Sequence, residues 1–306
     1  MPHFTDELAQ AVRQRGNAVC VGLDPRWEQL PWPVTTGRED APHGRPEAYL
    51  DFCCGVIDVV APLVPVVKPQ SAFFEELGPA GMSALGHVIR YAQEQGLLVI
   101  LDAKRNDIGS TAEAYARGML GRGQSAWGAD ALTVSPYLGE DSLTPFVDVA
   151  QERGAGLFIL VKTSNPGGGL LQDLVADGRK VYRHVADLVE RMSADTAGES
   201  GYGLAGTVVG ATYPEQLAEL RAAMPHTWFL VPGFGSQGGG AKDVAPAFDA
   251  HGGGAVINNS RGIIFAHAKK EYAERFGDQQ WQKAVEAATK DMIDQLAHLA
   301  PGPAGG

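Results

Sequence analysis

Eight short apolar runs, each closing on a polar or glycine-bearing loop, constrain this chain more than any single residue does. They fall at positions 18–23, 65–67, 97–101, 131–134, 157–161, 205–209, 228–231 and 255–257. Their length and β-branched content read as buried strands. Segments of helical spacing lie between them, at 46–61, 80–95, 111–127, 142–152, 180–192, 214–223 and 241–251, and the stretch 263–299 reads as one or more terminal helices. Strands alternating with helices predict parallel pairing through right-handed crossovers. Eight such units predict a (β/α)8 TIM barrel, a single α/β domain over residues 1–299. A doubly wound open sheet is the alternative, because strand order is not written in the alternation. The tail 300–306, Ala-Pro-Gly-Pro-Ala-Gly-Gly, can bury no surface and is expected to be disordered.

Composition excludes several classes. With 306 residues, 44% of them hydrophobic and 20% charged, the chain has ample material for a core. A formal charge of −11 leaves no basic stripe for nucleic acid, so an anionic ligand must be met by a few local cations. Cys20, Cys53 and Cys54 form neither a disulfide framework nor a zinc pattern, and their apolar surroundings suit core packing in a reducing compartment. No run is long enough to span a bilayer, and the first residues lack the layout of a signal peptide, so a soluble, cytoplasmic protein is expected. Two insertions stand out, 25–45 after the first strand and 163–178 after the fifth. Both would lie at the C-terminal mouth of a barrel, where lids are built.

The densest chemistry is Leu101-Asp-Ala-Lys-Arg-Asn-Asp-Ile-Gly-Ser-Thr111. If the third strand stays extended, Asp102 and Lys104 project to one side. Asp107 follows on the loop, and Ser110-Thr111-Ala112-Glu113 has the spacing of a capping box that starts a helix. Other strand ends should converge on these groups: Asp24, Lys68, then Lys162, Thr163 and Ser164. Close opposite charges predict protonated Lys68 and Lys104 beside ionised Asp102 and Asp107. The array offers no activated nucleophile and no His-Cys metal cluster. It suits a reaction in which negative charge develops on carbon and an ammonium then supplies a proton.

The seventh loop, Pro232-Gly-Phe-Gly-Ser-Gln-Gly-Gly-Gly240, matches a dinucleotide fingerprint by letter but lies too late in the chain and lacks the following acid. In a barrel, the loops after strands seven and eight commonly hold a phosphate. Arg261, in Asn259-Ser260-Arg261-Gly262, supplies a planar cation for it. A small phosphorylated substrate follows.

Taken together, these residues resemble the orotidine 5′-phosphate decarboxylase family, in its longer bacterial branch. The resemblance is carried in order by Gly22-Leu-Asp-Pro25, Lys68-Pro-Gln-Ser-Ala-Phe-Phe-Glu75, Asp102-Ala-Lys-Arg-Asn-Asp-Ile108, Lys162-Thr-Ser-Asn-Pro166, the loop 232–239 and Asn259-Ser-Arg-Gly262, over roughly residues 5–290. One departure is Asn106, where that branch is expected to have glycine. The resemblance implies a homodimeric barrel with active sites at the interface and a cofactor-free decarboxylation of the nucleotide orotidine 5′-phosphate to UMP. It implies that Lys104 protonates C6, Asp102 lies against the departing carboxylate, and Lys68 holds the array together and contacts the ribose. Asp107, Ile108 and Thr111 would serve the neighbouring subunit's site. Asp24 would bind a ribose hydroxyl, Ser164 the pyrimidine edge, and Gln237, Arg261 and Gly262 the phosphate.

Three other readings share parts of this pattern. A metal-dependent decarboxylase of a sugar-acid phosphate uses the same D-x-K-x-x-D but needs an acid where Lys68 stands. A Schiff-base aldolase would need Lys104 in an apolar pocket, whereas its flanking aspartates favour the ammonium. A noncatalytic phosphate binder accounts for Arg261 and leaves the charged array without purpose.

Overall fold

The computed structural model describes residues 3–235 and 239–299. Eight parallel strands close into a barrel: β1 (Val19–Leu23), β2 (Val66–Pro69), β3 (Leu98–Arg105), β4 (Ala131–Val134), β5 (Gly156–Lys162), β6 (Ala205–Val209), β7 (Phe229–Pro232) and β8 (Ala255–Asn259). Each strand pairs with its chain neighbours, and β8 returns to β1 with Ile257 opposite Val19. The closed ring excludes the open doubly wound sheet, and all eight runs read from the sequence are its strands.

Alternation along each strand sorts the core into two layers. Cys20, Val66, Ile100, Ala131, Phe158 and Leu230 face into the barrel. Val21, Val67, Val99, Leu132, Ile159 and Val231 face outward against the helices. Two residues further along, the inward phase reaches Lys68, Asp102, Thr133 and Leu160 at the C-terminal mouth. The period of the pleat therefore delivers the polar groups to one end of an apolar interior. Cys20 and Cys53 are buried, and burial pushes the Cys20 thiol up to about 12. Cys54 is half-buried.

Several boundaries differ from expectation. A helix at Phe4–Arg15, not anticipated, closes the N-terminal end of the barrel. Phe4 packs edge-on against Phe158, and His3 and Thr5 donate to the carbonyls of Thr196 and Tyr202. The segment expected as one helix over 111–127 is helical only over Gly109–Met119, because Leu120 is extended and Gly121 and Gly123 take positive φ. Pro246 interrupts the segment 241–251, leaving a short helix and a 3-10 turn. The terminal stretch is a series of short helices ending in the long helix Trp281–Leu296. The tail expected to be disordered lies outside the described residues.

Candidate active site

At the barrel mouth, Asp102 is buried and accepts from four donors. Its Oδ2 takes Lys68 Nζ at 2.5 Å and Gln70 Nε2 at 2.9 Å. Its Oδ1 takes Lys104 Nζ at 2.6 Å and Thr133 Oγ1 at 2.9 Å. The four donors occupy the four lone-pair directions a carboxylate offers. Burial alone would push this carboxyl up, but Lys68 and then Lys104 hold it well below the usual range. Burial likewise works against the Lys68 ammonium, and Asp102, then Asp24, hold its pKa above the ordinary lysine value. Two of the protonation states expected from the sequence, ionised Asp102 and charged Lys68, follow from this geometry.

The route by which Lys104 meets Asp102 differs from the one expected. The strand does not continue extended. Leu101 stands opposite Leu132 and Arg105 opposite Val134, so Asp102, Ala103 and Lys104 bulge across from Thr133 alone. Lys104 sits at φ 46°, a left-handed conformation rare for a residue with a Cβ. Its side chain is 47% exposed, whereas Asp102 beneath it is nearly closed off. A second bulge corrects the expectation for Lys162. The register slips between Leu160 and Lys162, so Lys162 leaves the inward phase. It is 3% exposed, pairs with Asp173 at 2.8 Å, and lies 5.4 Å from the Tyr182 ring centroid. It therefore anchors the loop after β5 rather than joining the site.

A cavity of about 400 Å³ opens above the array, lined by Lys68, Asp102, Lys104 and Thr133 on the charged side. Leu160, Val208 and Leu230 form an apolar wall, and Thr163, Ser164, Asn165 and Pro232 form the rim. The insertion after β5 thus contributes to the rim. Ser164 crosses close over Gly210, where an added Cβ would stand 2.7 Å from the serine Cβ. The insertion after β1 instead folds back on the barrel's flank. There the Trp27 amide donates to Tyr49 and the Trp32 amide to Asp278, and the insertion contributes no cavity lining.

The other sequence candidates lie around this cavity rather than in its wall. Asp24 follows β1 directly and has a buried Oδ1 with no hydrogen-bond partner among the described residues. Arg261 is exposed after β8, on a turn fixed by the Gly262 amide donating to Asn259 Oδ1 at 3.1 Å. The neighbouring loop after β7 emerges beside it, since Pro232 pairs with Asn258. Gln237 lies outside the described residues. Asp107 turns back on the chain, its Oδ1 accepting from the Ile108 amide at 2.8 Å. The helix that follows begins at Gly109 with no side-chain cap, so the expected capping box at Ser110 does not form. Gly109, at φ 52°, makes the entry turn and carries Ser110 past the capping position. Ile108, 56% exposed, and Thr111, also exposed, do not line their own barrel's cavity. Gln70 and Thr133 were not singled out from the sequence. Their signal was positional: Gln70 lies two residues past Lys68, and Thr133 is the polar residue at the inward phase of an apolar strand.

Comparison with known proteins agrees with this architecture. The model of the orotidine 5′-phosphate decarboxylase / HUMPS family matches residues 17–276. An orotidine 5′-phosphate decarboxylase of Rhodopirellula baltica is 57% identical over 303 residues, covering 97% of this chain and 99% of that protein. One from Deinococcus radiodurans is 42% identical, covering 87% and 90%. The solved structure of Leishmania donovani OMP decarboxylase superposes with a TM-score of 0.75 at 33% identity, covering 97% of this chain and 98% of that one. With the closed barrel, the charged array at its mouth and relatives matched over nearly their whole length, this chain belongs to the orotidine 5′-phosphate decarboxylase family of enzymes.

Proposed function

We propose that this enzyme converts orotidine 5′-phosphate to UMP and CO₂ in pyrimidine biosynthesis, with no cofactor, in the cytoplasm. The observation that carries the reading is the buried Asp102 carboxylate holding Lys68 and Lys104 at the edge of a cavity with an apolar far wall. Breaking the C6–carboxylate bond leaves its electron pair on C6, in the ring plane and beyond reach of the π system. The Lys104 ammonium stabilises that pair and then donates its proton to C6, and the resulting amine takes a proton back from water. Asp102, with all four lone-pair directions occupied, cannot serve as a base. Its charge repels the substrate carboxylate and is relieved as CO₂ departs, a smaller contribution than carbanion stabilisation. Lys68 keeps that charge in place and reaches the ribose.

The remaining roles complete the substrate. Asp24 takes a ribose hydroxyl, a role supported by its unpartnered buried oxygen. Ser164 takes the pyrimidine edge, and Gln237, Arg261 and Gly262 take the phosphate. Phosphate binding energy, remote from the chemistry, closes the loops over the base. Asp107, Ile108 and Thr111 act in the partner's site of a homodimer. Support for this comes from apolar side chains left in water on consecutive segments after β3 and β4: Ile108, Tyr115, Leu138 and Tyr137, the last 75% exposed. Residues 1–299 make up the catalytic domain.

Decay of the near-ultraviolet absorbance of orotidine 5′-phosphate on mixing with pure enzyme tests the reaction. Turnover should persist after exhaustive EDTA treatment, and activity lost to EDTA and restored by Mg²⁺ would favour the sugar-acid chemistry instead. No turnover of the nucleotide under either condition refutes the reading.

A further inference from the structure

We infer that Thr133 is a positioning residue for the proton donor, acting through the backbone of Lys104. It is 1% exposed and sits alone opposite the bulge formed by Asp102, Ala103 and Lys104. At the bulge the Lys104 amide is held by a side chain: Thr133 Oγ1 accepts from it at 2.9 Å. The same hydroxyl passes its own proton toward Asp102 Oδ1 at 2.9 Å, the oxygen that also receives Lys104 Nζ. A ring therefore closes from the Lys104 amide through Thr133 to Asp102 and back through the Lys104 side chain. A non-glycine residue at φ 46° is held there only if its surroundings over-determine it. Among the described residues, Thr133 is the group that accepts from this amide. Buried hydroxyl chains of this kind also strengthen one another by polarisation.

This geometry makes a single uncharged hydroxyl responsible for two things, the left-handed turn that aims Lys104 and one of the four donors on Asp102. The inference rests on Lys104 as the donor. Lys104→Ala tests that premise separately: retained turnover there would remove Lys104 from the chemistry without touching the structural arm below.

The test compares Thr133→Val, nearly isosteric and lacking the hydroxyl, with Thr133→Ala and Thr133→Ser. For Val and Ala, kcat should fall at least tenfold while the Kd for UMP stays within about threefold, because the phosphate and ribose contacts are untouched. Thr133→Ser should retain kcat within about threefold. A crystal structure of whichever hydroxyl-less variant is the better behaved should show Lys104 out of positive φ. Full turnover without the hydroxyl, a loss shared equally by the serine variant, or Lys104 unmoved at positive φ would each overturn the inference.

Discussion

Replacing Asp102 with asparagine would leave the Lys68 ammonium buried, with Asp24 as the remaining nearby carboxylate. Breaking one side of a buried pair costs about 3–5 kcal/mol, so Asp102→Asn should lose roughly that much stability at neutral pH in urea titrations. The sign with pH follows from the two shifts. The Asp102 pKa is lowered on folding, so its contribution is present above the unfolded value near pH 4 and is lost as pH falls through the folded value. The Lys68 pKa is raised, so its contribution is full below the ordinary lysine pKa and is lost only above it. The gap between wild type and Asp102→Asn should therefore narrow toward acid and again in strong alkali. A constant gap would mean the pair adds nothing that titrates. Arg261 calls for a different measurement. It is exposed and forms no ion pair among the described residues, so Arg261→Ala should leave stability near wild type. It should raise KM and weaken UMP binding by about 1.5–3 kcal/mol, the range for hydrogen bonds to charged groups. Unchanged kinetics would put the phosphate elsewhere.

The loop after β5 depends on few ties. It carries Ser164 at the rim and is tied down at its far end by Asp173 on Lys162, and by Gln172, whose side chain accepts from the Thr163 amide. Asp173→Ala leaves Lys162 buried without its carboxylate. Amide exchange over residues 163–178 should then accelerate roughly fivefold, equivalent to about 1 kcal/mol of local opening, with exchange in β1–β4 unaffected. Uniform acceleration across the barrel would mean that the pair stabilises the whole fold rather than the loop. At this scale the sequence was legible where simple periodicity held. All eight strands follow from apolar runs of strand length, and Lys68 and Asp102 stand at the next inward position of the pleat after Val66 and Ile100. One-residue irregularities were not legible. A bulge before Lys162 turned it out of the site, another gave Lys104 its left-handed turn, and Thr133 was hidden because a threonine in an apolar strand looks like ordinary β-propensity. The N-terminal helix was recoverable, since Phe4, Leu8, Ala9 and Val12 share a face. The helix end at Met119 was recoverable as well, from Gly121 and Gly123.

At the scale of the whole molecule, the proposed dimer makes a prediction that no single chain can satisfy. Asp107→Ala and Lys104→Ala homodimers should both be nearly inactive, each site lacking one charged group. After subunit exchange between equal amounts, about half the dimers are mixed. In each mixed dimer one site carries both lesions and the other neither, so activity should return to roughly a quarter of wild type. No recovery despite demonstrated mixed dimers would place Asp107 in its own subunit's site.

The seam of the barrel has a consequence for how the chain is made. Cys20 on the first strand meets Asn258 on the last, 238 positions later. Until that late strand leaves the ribosome, every nascent chain carries two unpaired parallel edges, and the helix at Phe4–Arg15 waits for Phe158 and Tyr202 to complete its seat. Long-range parallel pairing of this kind is slow and leaves sticky edges in water. The vulnerable species in a cell is therefore the nearly finished chain, and synthesis that stalls shortly before residue 255 should yield aggregate rather than a smaller working barrel.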